Sequence, residues 1–93
     1  MRFRQRYAAR VDENQSAVVD ALRTAGAQVY IAGHPLDLLV QHRGETFLME
    51  VKRKDGTLTD DQEDFLGWWL GRVVIVTGVD EALSALGNAH AKA

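Results

Sequence analysis

The chain has no cysteine, a single proline and no apolar run near the roughly 20 residues that a membrane span requires. Without cysteine there is neither a disulfide framework nor a thiolate zinc site, and a reducing cytoplasm suits the protein. Four arginines stand near the N-terminus, but no apolar stretch of about 7–15 residues follows them, so a secretory signal is not expected. A basic surplus is missing too. Lys and Arg number 11 against 13 Asp and Glu, a formal net charge of −2, which argues against binding a polyanion by bulk attraction. Internal repeats, linkers and low-complexity segments are absent, so the 93 residues are expected to form one soluble, cytoplasmic domain spanning 1–93. At this size the buried core is modest, and a partner chain often completes it.

What the chain does hold is an ordinary globular composition with an uneven charge distribution. Basic residues gather at Arg2, Arg4, Arg6 and Arg10 and again at Lys52-Arg53-Lys54, while Asp60, Asp61, Glu63 and Asp64 share one later segment. A local basic surface is therefore compatible with an acidic total. In residues 1–10 the arginines alternate with Phe3, Gln5 and Tyr7, the pattern of a flexible arm or an edge strand.

Hydrophobic periodicity divides the rest. Val18, Val19, Leu22 and Ala25 recur at helical spacing from Asp12 to about Ala25, with Asp12 or Asn14 available as a cap and Gly26 as the stop. Val29-Tyr30-Ile31 reads as a strand and Ala32-Gly33-His34-Pro35 as a turn. Leu36 to about Gln41 and Thr46 to Val51 read as two antiparallel strands joined by the hairpin loop His42-Arg43-Gly44-Glu45. After the Asp55-Gly56 turn, Thr59-x-x-Gln62 has the form of a capping box, opening a helix expected to reach about Leu70 and to end at Gly71. Arg72 to Thr77 is a continuous apolar run of the kind found in a strand buried on both faces. A short helix from Asp80 to about Leu86 and a frayed tail at 88–93 complete the chain. The order α-β-β-β-α-β-α implies an α/β fold, with a mixed central sheet flanked by helices and a helical crossover between parallel strands.

One stretch carries chemistry. Side chains at i and i+2 of a strand share a face, so Glu50 and Lys52 point one way while Met49 and Val51 point the other. Asp37, at the start of the neighbouring strand, can lie beside Glu50 if the hairpin is in register. Two carboxylates and an ammonium so placed suit a hard cation such as Mg²⁺ together with a phosphodiester. Taken alone, Glu-x-Lys is more often an exposed ion pair worth at most about 1 kcal/mol. Arg53 and Lys54, continuing this strand, are placed to touch a nucleic-acid backbone without reading its sequence, and Arg4 and Arg6 are candidates for the same role. His34 lies in the turn before Asp37, but the three histidines show no ligand spacing. Trp68 and Trp69 are about 100° apart on a helix, so at most one faces inward comfortably, and core or dimer contacts are expected of them.

The joint pattern of the first helix, the Gly33-x-Pro35-x-Asp37 turn, the Glu50-Val51-Lys52 strand and the Leu58-Thr59-x-x-Gln62 helix start resembles the PD-(D/E)XK nucleases. The likeness is strongest to the small phage-type VRR-NUC and archaeal Holliday-junction-resolvase-like branch, and it covers about Val11 to Leu86. It implies a restriction-endonuclease-like fold and a Mg²⁺- or Mn²⁺-dependent endonuclease that hydrolyses DNA phosphodiesters, often in branched DNA. Such enzymes commonly act as homodimers or higher homo-oligomers, here in a bacterial host cell if the source is a phage. Carried over by motif position, Asp37 and Glu50 would be metal ligands, the Val51 carbonyl a further ligand, Lys52 the catalytic lysine and Gln62 a supporting polar residue. In resolvase-like relatives the first helix supplies a Glu eleven residues before the Gly that ends it; counting back from Gly26 gives Gln15. A neutral amide there removes one negative charge from the site. Glu13 is about 200° away around the helix, so Gln15 is the residue expected to face the sheet. The rival reading is a non-catalytic DNA-binding or assembly module on the same fold.

Overall fold

The computed structural model describes the backbone of residues 13–91 and the side chains of residues 13–87. The arm containing Arg2, Arg4, Arg6 and Arg10, together with the possible cap Asp12, lies outside them. Helix α1 (Glu13–Thr24) buries Gln15, Val18, Val19 and Leu22 on one stripe. Its end is closed by paired backbone bonds, Gly26 N–H to Arg23 O and Ala27 N–H to Leu22 O, each 3.0 Å. This reversal needs a positive φ, and Gly26 supplies it at 99° without a Cβ penalty. Asn14 does not cap the helix: its Nδ2 donates to Thr77 O at 3.0 Å, tying the first turn of α1 to the chain leaving the fourth strand.

Strands β1 (Gln28–Ile31), β2 (Leu38–His42), β3 (Glu45–Val51) and β4 (Val73–Val76) form one mixed sheet in the order β1-β2-β3-β4. The first two pairings are antiparallel, and β3 pairs with β4 in parallel. Arg43 and Gly44, at φ 53° and 85°, make the two-residue turn between β2 and β3, a geometry whose twist matches that of the strands. Register follows from it. Leu38 faces Met49 and Val40 faces Phe47 on one side of the sheet, while Leu39 faces Leu48 on the other.

The crossover from β3 to β4 contains helix α2 (Asp60–Trp68), opened by the expected capping box. Gln62 N–H donates to Thr59 Oγ1, and Thr59 N–H donates to Gln62 Oε1, both at 3.1 Å. Several boundaries differ from expectation. α2 ends at Trp68 instead of Leu70, because Trp69 is already extended (φ −74°, ψ 125°), so Gly71 is not its stop. Gly71 serves a packing need instead: a Cβ there would come within 2.8 Å of the Trp69 ring. The final helix, α3, starts at Val79 and runs to Ala91, so the backbone at Asn88–Ala91 is helical.

The largest correction concerns β4. It is an edge strand whose Ile75 is 45% exposed, not a central strand buried on both faces. Its apolar run is continuous because one face meets the core while the other joins an apolar sheet surface. Helices α1 and α3 pack against each other and cover the first face, enclosing Leu38, Val40, Phe47, Met49 and Val76 with Val18, Leu22, Ala82 and Leu86. Arg72 closes the rim of this core, its guanidinium 4.4 Å from the Phe47 ring centroid and bonded to Glu45 and to Ala85 O. No helix among the described residues is long and apolar enough to cross a membrane.

These contacts rank two substitutions. Leu38→Ala, at a fully buried position, is expected to cost about 2–5 kcal/mol. Thr59→Ala, which removes one cap, should cost about 1 kcal/mol. Urea unfolding monitored by far-UV circular dichroism measures both.

Candidate active site

The site lies at the end of β3, where the strand face opposite the core meets the loop before β2 and the first turn of α2. Alternation along β3 buries Met49 in the core and turns Glu50 to the other side, where its residue is only 3% exposed. A carboxylate withdrawn from water this far needs donors on both oxygens. It has three. Asp37 N–H donates to Glu50 Oε1 at 3.0 Å, Gln62 Nε2 donates to Oε2 at 2.9 Å, and Lys52 Nζ lies 3.2 Å from Oε2. The Lys52 side chain is itself four-fifths buried, so this pair is unlike the exposed Glu-x-Lys pairs of ordinary strands.

Asp37 sits in the loop just before β2 instead of on the strand, and the loop is built around it. Its carbonyl accepts from Ala32 N–H at 2.8 Å and from Gly33 N–H at 3.1 Å, and Gly33 reaches this geometry with φ 80°. Its carboxylate returns the bond that its own backbone gives away: Val51 N–H donates to Asp37 Oδ2 at 2.9 Å. The loop and β3 thus exchange side-chain-to-backbone bonds in both directions. N–H and C=O of one strand residue point to the same side, so the Val51 carbonyl also faces the Asp37 side.

Gln62 has two roles. Its Oε1 caps α2, and its Nε2 donates both to Glu50 and, at 3.2 Å, to Pro35 O. The positive end of the α2 dipole is thereby held against the site, although Asp60, Asp61 and Glu63 in the same turn offset it. Pro35 O and the Asp37 backbone are members that a reading by side-chain type does not reveal. The Gly33-x-Pro35-x-Asp37 spacing was their only signal.

Asp37, Glu50, Lys52, Val51 and Gln62 therefore converge. Gln15 is 8% exposed on the buried stripe of α1, while Glu13 is exposed, and neighbouring Asn14 places that turn at the end of the sheet where Lys52 N–H bonds Val76 O. Arg53 and Lys54 are exposed just beyond Lys52, and His34 is exposed in the loop. Trp68 and Trp69 do not enter the core; they form an aromatic cluster with Phe65, ring centroids 5.1 Å from it in each case. Among the described residues no group of three or more Asp, Glu or His gathers as a ligand set. The donors at the site are two carboxylates and a backbone carbonyl. Hard oxygen donors of this kind would suit Mg²⁺ or Mn²⁺ better than a soft ion, and both Glu50 oxygens already accept from protein donors. No family model, curated protein or solved structure matches this chain.

The reciprocal bonds separate two substitutions at one position. Asp37→Asn keeps an oxygen for Val51 N–H and is expected to leave stability within about 1 kcal/mol, whereas Asp37→Ala strands that donor and should cost about 1–3 kcal/mol. Denaturant midpoints of the two variants, compared at equal m-value, give the answer.

Proposed function

We propose that this domain is a metal-dependent endodeoxyribonuclease of the PD-(D/E)XK type, with a restriction-endonuclease-like arrangement of its sheet and helices. The observation that carries the reading is the convergence of Asp37, Glu50, Lys52 and Gln62, drawn from a loop, a strand and a helix, into one bonded cluster.

Asp37, Glu50 and the Val51 carbonyl would hold the cation, which supplies Lewis-acid activation of water and offsets charge on the phosphate. The chain's own groups do the rest. The Lys52 ammonium, held against Glu50, is placed to orient the attacking water and to share the negative charge that grows on the phosphoryl oxygens. Gln62 keeps the Glu50 carboxylate in one orientation, and its tie to Pro35 O keeps the Asp37 loop at a fixed distance from it. Positioning and electrostatics, with no covalent intermediate, account for the reaction. Arg53 and Lys54 extend the site along a DNA backbone, which locates the substrate without reading its bases. The second reading, a DNA-binding module without turnover, is favoured by one feature: Gln15 stands where relatives of the proposed type have an acid.

Purified protein is expected to cut labelled duplex, flap or four-way-junction DNA with Mg²⁺ or Mn²⁺. Lys52→Ala and Glu50→Gln should each lower the cleavage rate by about 10²-fold or more, with far-UV spectra unchanged. DNA binding that persists in chelator, with no cleavage under any metal, would select the module instead. Full cutting activity in both variants would rule out this site.

A further inference from the structure

The sheet ends in two edges that are not equivalent. At β1, Ala32 N–H bonds Asp37 O, so alternation turns the backbone groups of Val29 and Ile31 outward, where Arg23 Nη2 already covers Val29 O at 2.8 Å. β4 is more open. Leu48 N–H bonds Arg72 O and Lys52 N–H bonds Val76 O, so residues 72, 74 and 76 serve β3, and Val73, Ile75 and Thr77 turn their N–H and C=O groups to the outer side. Thr77 is satisfied there, because its N–H donates to Glu81 Oε1 at 2.6 Å and its carbonyl accepts from Asn14 Nδ2 at 3.0 Å. Among the described residues, nothing meets the outward groups of Val73 and Ile75. Such an edge is a template for one more strand.

A cavity of about 360 Å³ lies beside this edge, walled by Val74, Ile75 and Val76 of β4 and by Asp80, Glu81 and Ser84 of α3. Arg72 also reaches it, but its guanidinium is paired with Glu45, so the two exposed acids of α3 leave the rim negative.

We propose that the β4 edge and this cavity are the docking site of the chain's own segment Arg2–Tyr7, added as a fifth strand parallel to β4. The tether sets the direction. Asn14 bonds the outward carbonyl of Thr77, which puts the start of α1 on the open side of β4 and at its C-terminal end. A segment leading into α1 has its own C-terminal end fixed there and therefore runs along β4 in the same sense. The five residues 8–12 span up to about 17 Å when extended, enough to bring Tyr7 alongside Val76, and the six residues of the segment cover the four of β4.

Alternation then divides the segment as it divides β4. Val74 and Val76 pack on the side of α3, while Ile75 points the other way at 45% exposure. In a paired strand Arg2, Arg4 and Arg6 share one side and Phe3, Gln5 and Tyr7 the other. Charge decides which side is which. With the arginines toward α3, their stems lie along the apolar wall and their guanidiniums meet Asp80 and Glu81, while the aromatic rings cover Ile75. The opposite placement would set two aromatic rings against carboxylates and three guanidiniums over an isoleucine. The proposal assigns Arg4 and Arg6 to the protein's own acidic rim instead of a DNA backbone. No metal or nuclease step enters it, so it stands or falls apart from that reading.

Amide hydrogen exchange of the full chain, followed residue by residue by NMR, tests the docking. The Ile75 amide is expected to exchange about tenfold or more slowly than an unbonded amide, and to the same degree at low and high protein concentration. Arg6→Glu and Asp80→Lys should each remove most of that factor while the Val40 amide of central strand β2 stays protected. Asp80→Asn, which removes the charge alone, should give a smaller loss of the same sign. Combining Arg6→Glu with Asp80→Lys restores opposite charges and should recover the protection. An Ile75 amide that exchanges freely in the wild-type chain would overturn the proposal. Protection that grows with concentration would overturn it by giving the edge to a second copy, and protection indifferent to both single variants, or absent from the double one, would overturn it equally.

Discussion

The burial of the Glu50 carboxylate constrains more of this molecule than any other single interaction. A charge held at 3% exposure is tolerated only if its lone pairs are met, and the three groups that meet them come from different places. Asp37 brings the loop before β2, Gln62 brings the first turn of α2, and Lys52 brings the end of β3 itself. Moving any of these elements leaves an ionised oxygen short of a donor, which costs more than an ordinary contact. The site is consequently a structural junction as well as a candidate centre of chemistry, and its precision comes without dedicated scaffolding.

That junction also pins the hairpin. Because alternate residues of β3 serve opposite faces, a slip of one position would drive Glu50 into the layer of Phe47 and Met49 and lift Met49 into water. The Arg43-Gly44 turn and the Asp37–Val51 exchange fix the two ends of the same strand pair, so neither end can slide while the other holds. The two faces that result are unequal in kind. One is a conventional core under two helices; the other divides into a polar end around Glu50 and an apolar expanse from Tyr30 to Ile75. The short helix α2 meets the polar end through Gln62.

What the sequence disclosed and what it concealed follow from the range of each interaction. The opposition of Glu50 and Met49, the Thr59–Gln62 capping box and the turn at Gly26 are local, and each was readable from spacing alone. So was the order of elements, since every one has its own periodicity or punctuation. The place of β4 in the sheet was not readable. Val73–Val76 has the composition of a doubly buried strand because apolar side chains are needed on both faces, yet nothing local records that the second face is uncovered within one chain. The early end of α2 was hidden for a related reason: Trp69 leaves the helix as its ring settles between Phe65 and Gly71, which a helical propensity does not register. The reach of Gln62 to Pro35 O, across 27 residues, depends on how the crossover folds back and has no signature in composition.

Charge counting at the cluster bears on how the proposed chemistry would be controlled. Asp37 and Glu50 contribute two formal negative charges and Lys52 returns one, leaving a net of one negative charge. At that charge the attraction for a divalent cation is weak, and both Glu50 oxygens already serve protein donors. A scissile phosphate brings the missing negative charge with it. On the proposed reading, cation and DNA therefore bind with positive coupling, each supplying what the other lacks, as expected for Mg²⁺ sites completed by substrate oxygens.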